Sequence, residues 1–183
     1  QVAHFDYLTN LNNDDIKNAL NSRLKIDCKI NSVTIVNKDF HSRYAALSRQ
    51  YFYQCYIGDS LLFKNQSWYI KNIDLFKLND LANVIIGEHD FLSFSKFNPA
   101  LKNSKCKVFY SKWFKNQNML IYKITSNRFL HHMIRYLVGT MIAVINNKFS
   151  KDKYISMLKI PNKQVQILKA PPQGLILMKV NYD

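Results

Sequence analysis

Few residues in this chain have the right type and spacing for chemistry, and the acidic ones come first. There are 12 carboxylates in 183 residues, one of them a glutamate, Glu88. Asp14 and Asp15 sit together where a helix starts, which suits the helix dipole. Asp59 follows a glycine at the end of an apolar stretch, and Asp183 is the last residue. No two carboxylates are placed as an acid–base pair. His131 and His132 suggest a metal, but neighbours on a helix point about a quarter-turn apart and no carboxylate follows at a ligand step. No metal site is expected. Arg135 lies beside a long apolar helical stripe, where an arginine must find an anion or reach solvent. Periodicity leaves open whether it serves an anion or an ordinary solvated face. Tyr51 and Arg49 share one face of an alternating strand. A tyrosine there is a core residue on strand propensity, and in a basic protein also a surface on which a base can stack.

These side chains need elements to hold them. Residues 48–57 alternate, with Arg49, Tyr51, Tyr53 and Cys55 on one face, and Gly58-Asp59 ends the strand. Leu130, Met133, Ile134, Leu137, Val138, Met141, Ile142 and Ile145 form the strongest helical stripe, with His131, Arg135 and Gly139 beside it. Residues 108–114 and 119–125 flank a polar turn and predict a hairpin. Further helices are expected after the Asn12-Asn13-Asp14 cap, over residues 78–86 and near residues 153–158. Further strands are expected at residues 2–7, 32–36, 165–168 and 175–180. Helices and hairpins are mixed, so the class is α+β with a largely antiparallel sheet.

Composition narrows the function. Lys plus Arg number 26, which gives a formal charge of +14 and favours an anionic partner, nucleic acid first. The three cysteines, Cys28, Cys55 and Cys106, have no metal or disulfide spacing and fit free thiols in a reducing cytoplasm. There is no apolar run long enough for a membrane span, no secretory leader is expected, and four glycines in all leave no phosphate-binding loop.

Six stretches in order resemble the TruA family of tRNA pseudouridine synthases. They are Gln1-Val2-Ala3-His4-Phe5, Asp39-Phe40-His41-Ser42-Arg43-Tyr44, Ser48-Arg49-Gln50-Tyr51-Phe52-Tyr53, Gly87-Glu88-His89-Asp90-Phe91 with Ser93-Phe94, Phe129-Leu130-His131-His132-Met133-Ile134-Arg135 with Val138-Gly139, and Ala170-Pro171-Pro172-Gln173-Gly174-Leu175. The resemblance implies the pseudouridine-synthase catalytic fold, a mixed, mainly antiparallel sheet flanked by helices. Residues 1–60 would be the remainder of an N-terminal ferredoxin-like half and 61–183 the C-terminal half, sharing one catalytic domain. It implies cofactor-free isomerisation of uridine in the tRNA anticodon stem-loop, at positions 38 to 40, by a homodimer. Tyr51 would stack on the target base. Arg135 would pair with the catalytic aspartate and help displace the base. His41, Arg43 and Arg49 would lie along the RNA path, and Gly174 and Leu175 would border the pocket.

One departure is sharp. In the family the nucleophilic aspartate sits in a motif resembling Arg-Thr-Asp-x-Gly-Val-His-Ala, immediately before the stretch that is residues 1–5 here. The 183 residues contain no such motif. Neither Asp6 nor Asp39 fills the role, because Asp6 comes after the motif on the same strand and Asp39 belongs to another matched segment. The expectation is a fragment without the first strand-helix-strand portion, inactive alone. The alternative is a non-catalytic basic RNA-binding domain.

Overall fold

The structure is a computed structural model that describes residues 1–59, 61–71, 73–96, 98–163 and 167–182. It divides into two compact units, Val2–Ala45 and, with Gln1, Ala46–Asp183.

In the shorter unit the only regular element among the described residues is helix α1, Asn13–Asn21. Asn12 caps it, its side chain accepting from the Asp15 amide at 2.9 Å. The expected strands at residues 2–7 and 32–36 do not form. Their β-branched and aromatic residues satisfy propensity, but a strand exists only by pairing, and no described residue offers a ladder. Phe5, Tyr7 and Ile35 remain exposed.

The longer unit is built on a six-stranded sheet: β1 (Ser48–Ile57), β2 (Trp68–Ile70), β3 (Gly87–Asp90), β4 (Lys105–Asn116), β5 (Met119–Ser126) and β6 (Leu175–Asn181). The order is β2-β1-β5-β4-β3, with β6 also on β1. Among the described residues only β1–β2 is parallel. Strand β1 pairs with β5 along one edge and on the other with β6 over residues 48–53, then β2 over 55–57. The predicted β1 and β4–β5 hairpin form, the latter turning at Gln117, whose φ is 52°. Strands β2 and β3 were not expected: at three and four residues they are too short to show a period. Val165 and Gln166 of one expected strand lie outside the described residues, and Ile167 and Leu168 are not in a strand.

Helices α2 (Leu75–Val84), α3 (Met133–Ile145) and α4 (Lys151–Lys159) complete the unit. The stripe Leu137, Val138 and Met141 of α3 is buried with Leu78 and Leu81 of α2 and with Tyr53, Cys55, Trp113, Tyr122 and Ile124 from the inner face of the sheet. Buried polar atoms find partners, as burial demands. The Trp113 indole N–H donates to Met141 Sδ at 3.4 Å, and the Tyr122 hydroxyl meets Ser111 at 2.7 Å. Asn79 of α2 pairs with both the N–H and the C=O of Trp113, at 2.8 and 3.2 Å, and so closes part of the outer edge of β4.

Alternation puts Phe52, Tyr110, Phe114, Ile121 and Ile176 on the opposite face, among Lys112, Lys123 and Lys179. Lys112 lies over Phe114 at 5.6 Å and Lys123 over Tyr110 at 5.1 Å.

Candidate functional site

The site grows from the first half of β1. Tyr51 stands between Ile124 of β5 and Leu177 of β6, at a bulge where the pairing with β6 skips one residue. Its ring meets Phe129 edge-on, with centroids 5.2 Å apart, which fixes its plane and leaves it half-buried. Burial raises the pKa of the Tyr51 phenol, and the Arg49 charge opposes this. Arg49 donates through Nη1 to Ala46 O at 2.9 Å and Asn127 O at 2.8 Å, tying the chain after β5 to the start of β1.

Two residues along the same face, Tyr53 is fully buried, and its hydroxyl donates to Pro171 O at 2.7 Å. Burial pushes this phenol up, and the nearby Arg135 charge acts against that. Arg135 projects from the first turn of α3. Its Nε donates to Ala170 O at 2.6 Å, while the Ala170 amide donates back to Arg135 O at 3.0 Å. Two neighbouring carbonyls, of Ala170 and Pro171, are thus held by two side chains, one from the helix and one from the sheet. Among the described residues only the Nε of Arg135 is engaged and no carboxylate pairs with it.

Glycines make this closeness possible. A Cβ on Gly139 of α3 would clash with Leu168 O and lie 2.9 Å from Ala170 N. A Cβ on Gly174 would come 2.5 Å from Gln54 O and 2.9 Å from the Tyr53 ring. Leu175 follows as the register partner of Tyr53 and packs on the core. Of the expected residues, Tyr51, Arg135, Gly174 and Leu175 therefore gather around β1, the start of α3 and residues 170–175, with Arg49 at the end of the strand.

His41 and Arg43 lie in the shorter unit. His41 Nδ1 accepts from the amides of Arg43 at 3.1 Å and Tyr44 at 3.3 Å. Its ring sits between His4 and Tyr44, at 4.5 and 4.3 Å, and the Arg43 guanidinium lies 5.8 Å from the Tyr44 ring centre.

Sequence reasoning passed over Tyr53 and Phe129 as site residues. Tyr53 was visible as the next residue of the Arg49–Tyr51 face, but its bond to Pro171 spans 118 positions and leaves no local sign. His131 and His132 stack with ring centres 4.0 Å apart, and no group of three metal-ligating side chains occurs among the described residues.

The family model described as tRNA pseudouridine synthase matches residues 81–183. The tRNA pseudouridine synthase A of Staphylococcus carnosus is 32% identical over 98% of this chain and 68% of its own length. That of Coxiella burnetii (strain Dugway 5J108-111) is 32% identical over the whole chain and 71% of its own length. The Borrelia duttonii protein of the same name is 33% identical over the whole chain and 76% of its own length. With these matches running through both ends of the Tyr51–Arg135 site, the chain belongs to the tRNA pseudouridine synthases, a family of isomerases acting on tRNA.

Proposed function

We propose that the full-length protein converts uridine to pseudouridine in the anticodon stem-loop, using Tyr51 and Arg135 of this chain around a flipped-out base. The target atoms are hidden in a stacked stem-loop, so the nucleotide must leave the stack. Tyr51, half-buried with its plane set by Phe129, supplies a face for the base. A carboxylate nucleophile detaches uracil from C1′ of the ribose. The base turns, C5 bonds to C1′ in place of N1, and the C5 proton is lost as N1 gains one. Atoms and charge balance without a cofactor. The observation that carries this reading is Arg135: one nitrogen is anchored on Ala170 O, and the rest of its fork is available to a carboxylate, which it would keep ionised.

His41, Arg43 and Arg49 extend the RNA path, and Gly174 and Leu175 border the pocket. Residues 1–60 and 61–183 contribute to one shared catalytic domain in the cytoplasm. The apolar residues Phe52, Phe114, Ile121 and Ile176, half-buried or exposed on the second sheet face, favour a homodimer.

The test is a pseudouridine assay on tRNA. The full-length gene product should modify the anticodon stem-loop, and the 183-residue chain alone should not. Replacing Arg135 by Lys in the full-length protein should lower kcat by about a hundredfold or more, because an ammonium cannot bridge Ala170 O and a carboxylate in one plane. Activity from the 183-residue chain, or an unaffected Arg135→Lys enzyme, would overturn the assignment. RNA binding by the full-length protein without any product would favour a non-catalytic binding domain.

A further inference from the structure

Beside Arg135 lies a group of basic side chains that the base-handling chemistry does not use. His132 opens α3 in the left-handed region, with φ 64°, and its ring stacks on that of His131. The Lys96 amide donates to His131 O at 2.9 Å, which brings that segment to the same turn. Lys169 precedes Ala170, whose backbone is bound to Arg135 in both directions. The Lys169 ammonium lies 5.9 Å from the centre of the Tyr136 ring, and that ring lies 6.4 Å from the ring of His132.

Three chain segments therefore deliver Lys96, His131, His132, Arg135 and Lys169 to one place. Lys96, His131 and Lys169 are exposed, and His132 and Arg135 are half-buried. Every charge that bears on His132 comes from His131, Lys169, Arg135 and Lys96, and none of these is acidic. None of the five forms an ion pair among the described residues. A positive cluster at the N-terminal end of a 13-residue helix is self-repelling, and an anion relieves it. Phe129, which packs on Tyr51, is two residues from His131, so the cluster adjoins the base-stacking face along the chain.

We propose that Lys96, His131, His132 and Lys169 grip a backbone phosphate of the RNA strand next to the nucleotide that Tyr51 and Arg135 handle. This rests on the reading of Tyr51 and Arg135 as the base-handling pair. Lysine and imidazole N–H groups donate to the non-bridging oxygens and position the strand without reading its sequence. His132 starts with its pKa lowered by burial and by the neighbouring cations, so it is neutral in the free protein at neutral pH. A bound phosphate favours the imidazolium, so RNA binding takes up a proton and tightens on acidification.

The experiment measures binding of a labelled anticodon stem-loop RNA to the full-length protein by fluorescence anisotropy. The Lys96→Gln/Lys169→Gln variant should bind about tenfold more weakly and lower the slope of log K against log salt by about two. A control of equal charge loss on α4, Lys151→Gln/Lys153→Gln, should cost less than about threefold. His132→Asn, which tolerates the left-handed backbone, should reduce the tightening on acidification, and His131→Gln/His132→Asn should remove most of it. Equal losses from the two lysine pairs would show a diffuse field and overturn the site. If the unaltered protein binds RNA and the Lys96→Gln/Lys169→Gln variant matches it, the phosphate site alone falls. If the unaltered protein binds no RNA at low salt, the RNA reading falls with it. Inorganic phosphate at about 10 mM and constant ionic strength should displace little RNA. Complete displacement would assign the site to free phosphate and overturn the proposal.

Discussion

At the scale of single residues, the site depends on how each side chain is held. Phe129 fixes the plane of Tyr51, and the ring rather than the hydroxyl is what a base would stack on. Tyr51→Ala in the full-length protein should weaken tRNA binding by about 1–3 kcal/mol, whereas Tyr51→Phe should retain most of the affinity; titration of the two variants with tRNA checks this. His132 gives a second expectation. Its folded pKa is lowered from 6.5, so the unfolded chain binds more protons between the two values. Stability should therefore fall as pH drops below 6.5 and through the lowered value. The Tm of His132→Asn should vary less across that window, as thermal melts at a series of pH values would show. Arg135 could be singled out in the sequence as a charge beside an apolar stripe, whereas Tyr51, which strand propensity alone reads as core, was singled out by the family motif. What they touch was not visible. The partners of Arg135 and Tyr53 lie 35 and 118 positions away, and no local period encodes such a meeting.

At the scale of elements, the decisive contact is that of residues 168–175 with α3 and β1. Prolines 171 and 172 have no backbone N–H to donate, and Arg135 and Tyr53 hold the segment through the carbonyls of Ala170 and Pro171. Gly139 lets the helix approach that backbone. Gly139→Ala should destabilise the protein by about 2–4 kcal/mol, because the methyl would meet a backbone carbonyl that cannot swing aside; urea unfolding measures it. An unchanged midpoint would mean that residues 168–170 can move off the helix. The helices and the hairpin were legible because each repeats its period over several turns or residues. The expected strands at 2–7 and 32–36 failed because propensity specifies an extended backbone but not a partner.

At the scale of the whole molecule, burial sorts groups that composition treats alike. Cys28 is exposed, and Cys55 and Cys106 are buried. Burial raises both buried thiols, that of Cys106 to about 11. One thiol should react quickly with an aromatic disulfide reagent in the native chain and all three after denaturation. Two or more fast thiols would contradict the burial of Cys55 and Cys106. The charge of +14 is likewise a single number in the sequence, whereas the fold gathers Lys96, Arg135 and Lys169 with two histidines at the start of α3.

The amino-acid sequence by itself determined the class, the α3 stripe, the alternation of β1 and the family, because these are local periods and ordered motifs. Only the tertiary structure decided that Arg135 anchors on Ala170, that Tyr53 holds Pro171 and that Lys96 and Lys169 join the two histidines. Those contacts depend on the close approach of α3, β1 and residues 168–175, which rests on glycines at 139 and 174 and becomes visible only when the backbones meet.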